Sequence, residues 1–281
     1  MKLREFFYML GLKPKPQTYG HVIKEQHIAG KTIHYADWLH PRAYPCAVKP
    51  QELDYLQGIL QDGDVAIDIG AHIGDSTLPI ALAVGQAGAV LAFEANPYTA
   101  AVLEVNAALN QNIGKIHPHN LAVTDETRMY EFSYNDPGFM NGGAVEQTRD
   151  VRHGDAFRIH VQGVHLESFL DNEYPQLISR IKYIKIDAEG YDYYILQSMS
   201  SLLDRIRPVI QAEVMQRTSA EYRTNMFNFL QSKGYRVQRY DNCQALEVLS
   251  THREMSNYDN FDICCTPLEQ VAMRESIAQA S

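Results

Sequence analysis

Cysteine is scarce here and badly placed for metal chemistry. The four present, Cys46, Cys243, Cys264 and Cys265, form no C-x-x-C pair and no spaced Cys/His cluster, which argues against a structural zinc. Cys264 and Cys265 sit side by side in an apparent strand, so they should face opposite ways as small buried hydrophobes, in keeping with a reducing, cytoplasmic setting. Positive charge is also in deficit. Twenty-five Lys and Arg stand against 34 Asp and Glu, for a formal net charge of −9. A general polyanion binder needs clustered cations, so nucleic acid is not the expected partner. Long apolar runs are missing too. The uncharged stretch from Leu78 to Phe93 is interrupted by Pro79, Gly85, Gln86 and Gly88. It falls short of the roughly 20 apolar residues that a transmembrane helix needs. The N-terminus, MKLREFFYML, carries Arg4 and Glu5 too early for a secretory signal. It reads as a short amphipathic helix whose Phe6, Phe7 and Leu10 offer a peripheral membrane contact.

What is present is enough for a core: 45% of the residues are hydrophobic and 21% charged, ordinary values for a globular chain. Lys13-Pro14-Lys15-Pro16 punctuates the end of the first helix, and two short strands are expected from about His21 to Tyr35 around Gly30. From Gln51 the pattern alternates. Strands are expected at Val65–Ile69, Ala89–Phe93, Ile116–Val123, Ile181–Ile186 and Val209–Val214. Helices are expected at Thr77–Val84, Pro97–Leu109, Tyr193–Leu203 and Ser219–Lys233, and late strands near 235–240, 245–249 and 261–266. Alternation of this kind implies a doubly wound α/β fold with a mostly parallel sheet; the late strands suggest an antiparallel edge. The reading divides the chain into an N-terminal extension, 1–50, and a main domain, 51–281. Between 124 and 170 the alternation fails, and a polar insertion on the substrate side is expected.

The sharpest local signal is Val65-Ala-Ile-Asp-Ile-Gly-Ala-His-Ile-Gly74, a buried strand entering a turn of small residues before a helix. Ligands of open α/β sheets bind at such strand ends. A dinucleotide turn reads G-x-G-x-x-G, whereas here the spacing is Gly70-x-x-x-Gly74 with His72 inside it. Asp68 at the strand end would repel a pyrophosphate and suit the cationic end of S-adenosylmethionine. The next strand ends in Phe93-Glu94-Ala95-Asn96-Pro97, whose acid suits the two hydroxyls of a ribose. The third ends in Asn120-Leu-Ala-Val-Thr-Asp125, where Asn120 or nearby backbone is placed to read an adenine edge.

With these blocks in order, the sequence resembles the FkbM-type methyltransferases. The likeness runs through DIGAHIGDSTL, FEANP, NLAVTD, YIKIDAEGYDYYIL, QAEV and FDICC, over roughly residues 50 to 266. His72 replaces an asparagine usual in the family turn, Ala95 a common proline, and Glu167 a frequent aspartate. The resemblance implies a class I, Rossmann-like methyltransferase fold and S-adenosylmethionine as donor. It also implies a hydroxyl acceptor on a sugar, glycan or secondary metabolite. A homo-oligomer is compatible with it. The expected cofactor contacts are Asp68, Gly70, Ala71, His72, Gly74, Thr77, Glu94, Asn96, Asn120, Ala122 and Asp187.

Transfer to oxygen needs alignment of the reactants and a base for the hydroxyl proton. Asp187 and Glu189, at the end of the fourth strand, are the expected catalytic acids, with Lys185 pairing one of them. His153, in the polar insertion, is the candidate histidine base. A divalent metal is not required by the sequence; if one binds, Asp187 and Glu213 are its ligands. An NAD-dependent oxidoreductase and a non-catalytic nucleoside-binding protein are the competing readings.

Overall fold

The computed structural model describes residues 15–134, 137–140, 142–144 and 157–280, with only the main chain described for 142–144 and 277–280. The expected N-terminal helix with Phe6, Phe7 and Leu10, and the segment holding His153, lie outside the described residues. So does Asn141.

Runs that are apolar but for Asp68 form the centre of the sheet. Every residue of β3 (Val65–Ile69) and β4 (Ala89–Phe93) is buried, as strands covered on both faces must be. β5 (Lys115–His119) continues on one side, and β10 (Ile181–Ile186) and β11 (Val209–Val214) on the other; all these neighbours are parallel. β14 (Phe261–Pro267) lies antiparallel between β11 and β12 (Tyr235–Asp241), and β13 (Gln244–Val248) closes the edge. The chain steps outward from β3 to β5, then resumes at β10 on the opposite side of β3. That reversal opens a crevice between the carboxyl ends of β3 and β10. The architecture is a doubly wound, Rossmann-like α/β fold with an antiparallel edge. Cys264 belongs to the core on one face of the sheet and Cys265 to the core on the other.

The third strand is shorter than the sequence pattern suggests. Pro118 lies in β5, an edge strand, where its missing N–H does no harm. Asn120 Nδ2 then donates to the carbonyls of Glu94 at 2.9 Å and Ala95 at 3.1 Å, drawing the chain out of the sheet. Ala122–Thr124 becomes β6 of a second sheet with β9 (Phe157–His165), β7 (Met129–Tyr134) and β8 (Gly142–Ala144). β9 stops at His165, which caps a helix that the sequence pattern does not announce, Leu166–Glu173. His165 Nδ1 accepts from the Ser168 N–H at 3.4 Å, so Nε2 carries the proton and faces the Ser198 carbonyl at 3.0 Å. With that carbonyl engaged sideways, the long helix expected over 193–203 is two, Asp192–Ser198 and Ser200–Ile206.

The hairpin of β1 (His21–Ile28) and β2 (Lys31–Trp38) turns at Ala29 and Gly30, both with positive φ, the geometry of a two-residue hairpin loop. Its inner residues, including Ile33, Tyr35 and Trp38, share a core with the helix Thr77–Val84. Two asparagines one turn apart on the helix Pro97–Leu109 and its C-cap fasten β2. Asn106 Oδ1 accepts from Ala36 N at 2.6 Å, and Asn110 Oδ1 from His34 N at 3.0 Å.

Candidate active site

The first wall of the crevice is the turn after β3. Gly70 has φ +79°, and a Cβ there would lie 1.9 Å from the Asp187 carbonyl oxygen. Only glycine fits so close an approach of two strand ends. The Gly70 and Ala71 N–H groups both donate to the Phe93 carbonyl, at 2.9 and 3.0 Å, while Asp187 N–H donates to Ile69 O at 2.9 Å. These bonds lock the ends of β3, β4 and β10 together. His72 takes a positive φ of 49°, a conformation that histidine, like the asparagine it replaces, tolerates better than most residues. Gly74, with φ +97°, brings the loop within contact of Leu103 and Asn106. Asn106 Nδ2 also donates to Ile73 O at 2.6 Å.

Two further acids are buried behind and beside the turn. Asp68 is fully buried; Oδ2 accepts from the Thr77 hydroxyl at 2.7 Å and Oδ1 has no partner among the described residues. Burial pushes its carboxyl up to about 6, against the pull of the Lys185 charge and the Thr77 hydroxyl. Glu94 accepts from His72 N–H through Oε2 at 2.7 Å and from Asn96 N–H through Oε1 at 2.8 Å. Burial raises its carboxyl, and the His72 charge and these two N–H donors pull it back. A carboxylate has about four lone-pair directions; the two N–H groups take two and the Thr99 hydroxyl is placed to take a third, so one direction stays open. Asn96 also caps its helix, accepting from Tyr98 N at 2.9 Å, and donates to Phe139 O at 2.6 Å.

The opposite wall is the end of β10. Lys185 Nζ lies 3.1 Å from Asp187 Oδ2, so the expected pairing is with Asp187. The Lys185 side chain is 12% exposed and that of Asp187 46%. Burial disfavours the Lys185 charge, but Asp187 and then Asp68 outweigh it and the ammonium is held protonated. Glu189, at φ +54°, lies 3.6 Å from the Arg217 guanidinium; burial first and Asp187 second raise its carboxyl. Asp192 was not foreseen as a site residue, yet it shapes this loop. It is fully buried and accepts from Ala188 N at 3.3 Å and Gly190 N at 3.1 Å; burial pushes it up to about 7.

These walls enclose a cavity of about 420 Å³, within the usual range for a small-ligand site. Gly70, His72, Glu94, Asn96, Ala122, Asp187 and Glu189 line it. Asp68, Ala71, Gly74, Thr77 and Asn120 stand behind the wall and position it. The second sheet closes part of the cavity through Phe132 and Tyr134, joined by Met140. Tyr191, another lining residue, donates to Asp125 Oδ1 at 2.8 Å, and so does Tyr130 at 2.9 Å. Sequence reasoning missed Asp75, Ser76 and this aromatic cover. Only an N-terminal Asp-Ser pair before an apolar helix pointed to the first two. Glu213 lines neither this cavity nor the cleft described below; burial and then Asp187 push its carboxyl up to about 9. Among the described residues, no three His, Cys, Asp or Glu side chains are grouped to hold one metal ion, and no helix is long and apolar enough to cross a membrane.

Among solved structures, the chain is similar to a putative rRNA-methylase from Clostridium thermocellum, with 15% identity, TM-score 0.45 and coverage of 78% of this chain and 97% of that one. It is similar to a methyltransferase FkbM from Methylobacillus flagellatus KT, with 13% identity, TM-score 0.43 and coverage of 76% and 51%. An O-methyltransferase from Bacillus cereus in complex with SAH shows 16% identity, TM-score 0.40 and coverage of 79% and 83%. No curated protein matches the chain. The family model described as Methyltransferase FkbM domain matches residues 68–237, which hold the Gly70 turn, Glu94 and Asp187 and make up more than half of the sequence, and the chain belongs to that family of methyltransferases.

Proposed function

We propose that this methyltransferase uses S-adenosylmethionine to methylate a hydroxyl oxygen on a sugar, glycan or secondary metabolite. The observation that carries the reading is the Lys185–Asp187 pair, half open to the cavity, with Asp187 locked against Gly70. The residues present fit the donor. Glu94 keeps an open acceptor direction for a ribose hydroxyl, and the Gly70 cradle admits a close ligand. The orphaned, buried Asp68 Oδ1 adds negative potential suited to a cation. When bound, S-adenosylmethionine supplies an electrophilic methyl group on a sulfonium.

The chain's own residues do the rest. Gly70, His72 and Asn96 shape the pocket, Glu94 holds the ribose, and the Phe132–Tyr134–Met140 cover excludes water. Lys185 fixes one Asp187 oxygen, leaving Oδ1 to take the proton of an acceptor hydroxyl. A protonated Lys185 cannot itself serve as that base. Glu189, paired with Arg217, lines the donor cavity and orients the loop.

The test is incubation of the purified chain with a ¹³C-methyl donor and candidate acceptors, followed by two-dimensional NMR of the products. An O-methyl resonance supports the reading; methylation found only on nitrogen or carbon removes the oxygen acceptor. Failure of the folded chain to bind S-adenosylhomocysteine removes the donor.

A further inference from the structure

A second cleft, of about 820 Å³, adjoins the first cavity. Three residues, Ser76, Lys185 and Asp187, line both spaces, and no other described residue is shared. One side of the cleft is the helix Pro50–Gln57, through Glu52 and Leu56. Its floor is Tyr183 of β10 and Gln211 of β11, and its far side is the β12–β13 turn with the segment Asn257–Asp262. Among the described residues, none of the second sheet lines it, and the polar insertion expected on the substrate side lines the first cavity and not this cleft.

Resting on the reading that the first cavity holds the methyl donor, we infer that this second cleft is the acceptor site and that it takes a neutral saccharide. The shared wall carries the first half of the argument. A group passing from one ligand to another must cross where both spaces meet, and there stands the Lys185–Asp187 pair.

The chemistry of the walls carries the second half. Most ligand pockets are lined chiefly by apolar side chains; this one offers carboxylates, amides and phenols. Closing it over an apolar ligand would strand those groups without partners, so the occupant must bring many hydroxyls. Five carboxylates face three cations in the lining. Two of the cations are already taken, Lys185 by Asp187 at 3.1 Å, and Arg239 by Glu247 at 2.7 Å and Asp241 at 3.2 Å. A phosphorylated or carboxylated acceptor would meet a net negative wall. The floor is also pre-aligned. Tyr183 OH donates to Gln211 Oε1 at 2.7 Å, and Gln211 Nε2 donates to Asp262 Oδ2 at 2.9 Å. That relay fixes the Asp262 carboxylate as an acceptor for a ligand hydroxyl. Tyr240, its ring centroid 5.0 Å from that of Tyr55, and Tyr258, 5.1 Å below the Arg239 guanidinium, add held aromatic faces. The C–H face of a pyranose stacks on such rings.

The experiment uses the full chain and a radiolabelled methyl donor with two sets of acceptors. One set is neutral, methyl glycosides and neutral oligosaccharides; the other is sugar phosphates and nucleotide sugars. Two variants act on opposite sides of the cleft: Glu52→Gln, and Asn257→Trp, which fills the cleft from an exposed position. The expected result is label in a neutral saccharide, and a loss of at least tenfold in kcat/KM in both variants. Their affinity for S-adenosylhomocysteine should stay within about twofold of the parent, which also verifies their folding. Three results overturn the inference: label in anionic sugars only, no label in any saccharide while S-adenosylhomocysteine binds, or cleft variants with unchanged kcat/KM. Loss of S-adenosylhomocysteine binding by the parent chain overturns the donor reading instead.

Discussion

The Asp187 carbonyl oxygen stands where a side chain on Gly70 would begin, 1.9 Å from the position of its Cβ. Backbone, not a pliable side chain, occupies that place, and φ at Gly70 is positive as well. Gly70→Ala should therefore force β3 and β10 apart at their carboxyl ends. The expected cost is on the order of 3 kcal/mol of stability, with S-adenosylhomocysteine binding lost. Urea unfolding and calorimetric titration check both. A variant with parental stability and affinity would mean that the two strand ends are not held this closely.

In the proposed function Glu94 holds the ribose. Hydrogen bonds to a charged partner contribute about 1.5–3 kcal/mol, so Glu94→Gln should weaken S-adenosylhomocysteine binding by roughly 10- to 100-fold. Gln also turns an N–H donor toward the N–H of His72 or Asn96, so the melting temperature should fall. Affinity within twofold of the parent would count against the assigned contact.

Asp187→Asn keeps the shape of the wall and removes the proposed base. The expected loss in kcat is about 10²- to 10⁴-fold, with affinity for S-adenosylhomocysteine nearly unchanged. Single-turnover kinetics, supported by calorimetry, separate the two effects. Equal losses in both would identify Asp187 as part of the donor pocket alone.

Glu213 gives a pH test. Its carboxyl, pushed up to about 9 by burial and by Asp187, keeps a proton in the folded chain at pH values where the unfolded chain has released it. The folded state thus binds more protons from roughly pH 4 upward, and stability falls as pH rises through that window to the folded value. Below it both states are protonated and the penalty vanishes. Glu213→Gln should stabilise the protein by on the order of 1–2 kcal/mol at pH 8 and by almost nothing at pH 4. Melting curves across that range decide it; a gain of the same size at every pH would contradict the cause given.

Much of this was legible before any coordinates. β3 and β4 begin and end where the sequence places them, because strands buried on both faces are almost wholly apolar, and the one exception, Asp68, stands at the ligand end of β3. The Gly70 turn, Glu94 and Asp187 follow strand ends, where the fold puts ligands. Other features depended on distant partners. His165 ends a strand because its ring meets Ser198, and Asp192 folds back on Ala188 and Gly190 instead of facing the ligand. The second cleft joins Glu52, Gln211 and Asp262, which no local pattern connects. His153 lies outside the described residues, so its role stays with the sequence.

Asn106 grips two pieces of chain at once, Ala36 in β2 and Ile73 in the turn beside the first cavity. Whatever steadies one end of that amide must steady the other, since the coupling is reciprocal. Filling the cavity should therefore slow deuterium uptake along Lys31–Trp38, a strand of which no residue lines it. A protein shortened to start at Gln51 would leave this amide and that of Asn110 facing solvent in place of a strand, and would be expected to bind its ligand poorly even if it folded.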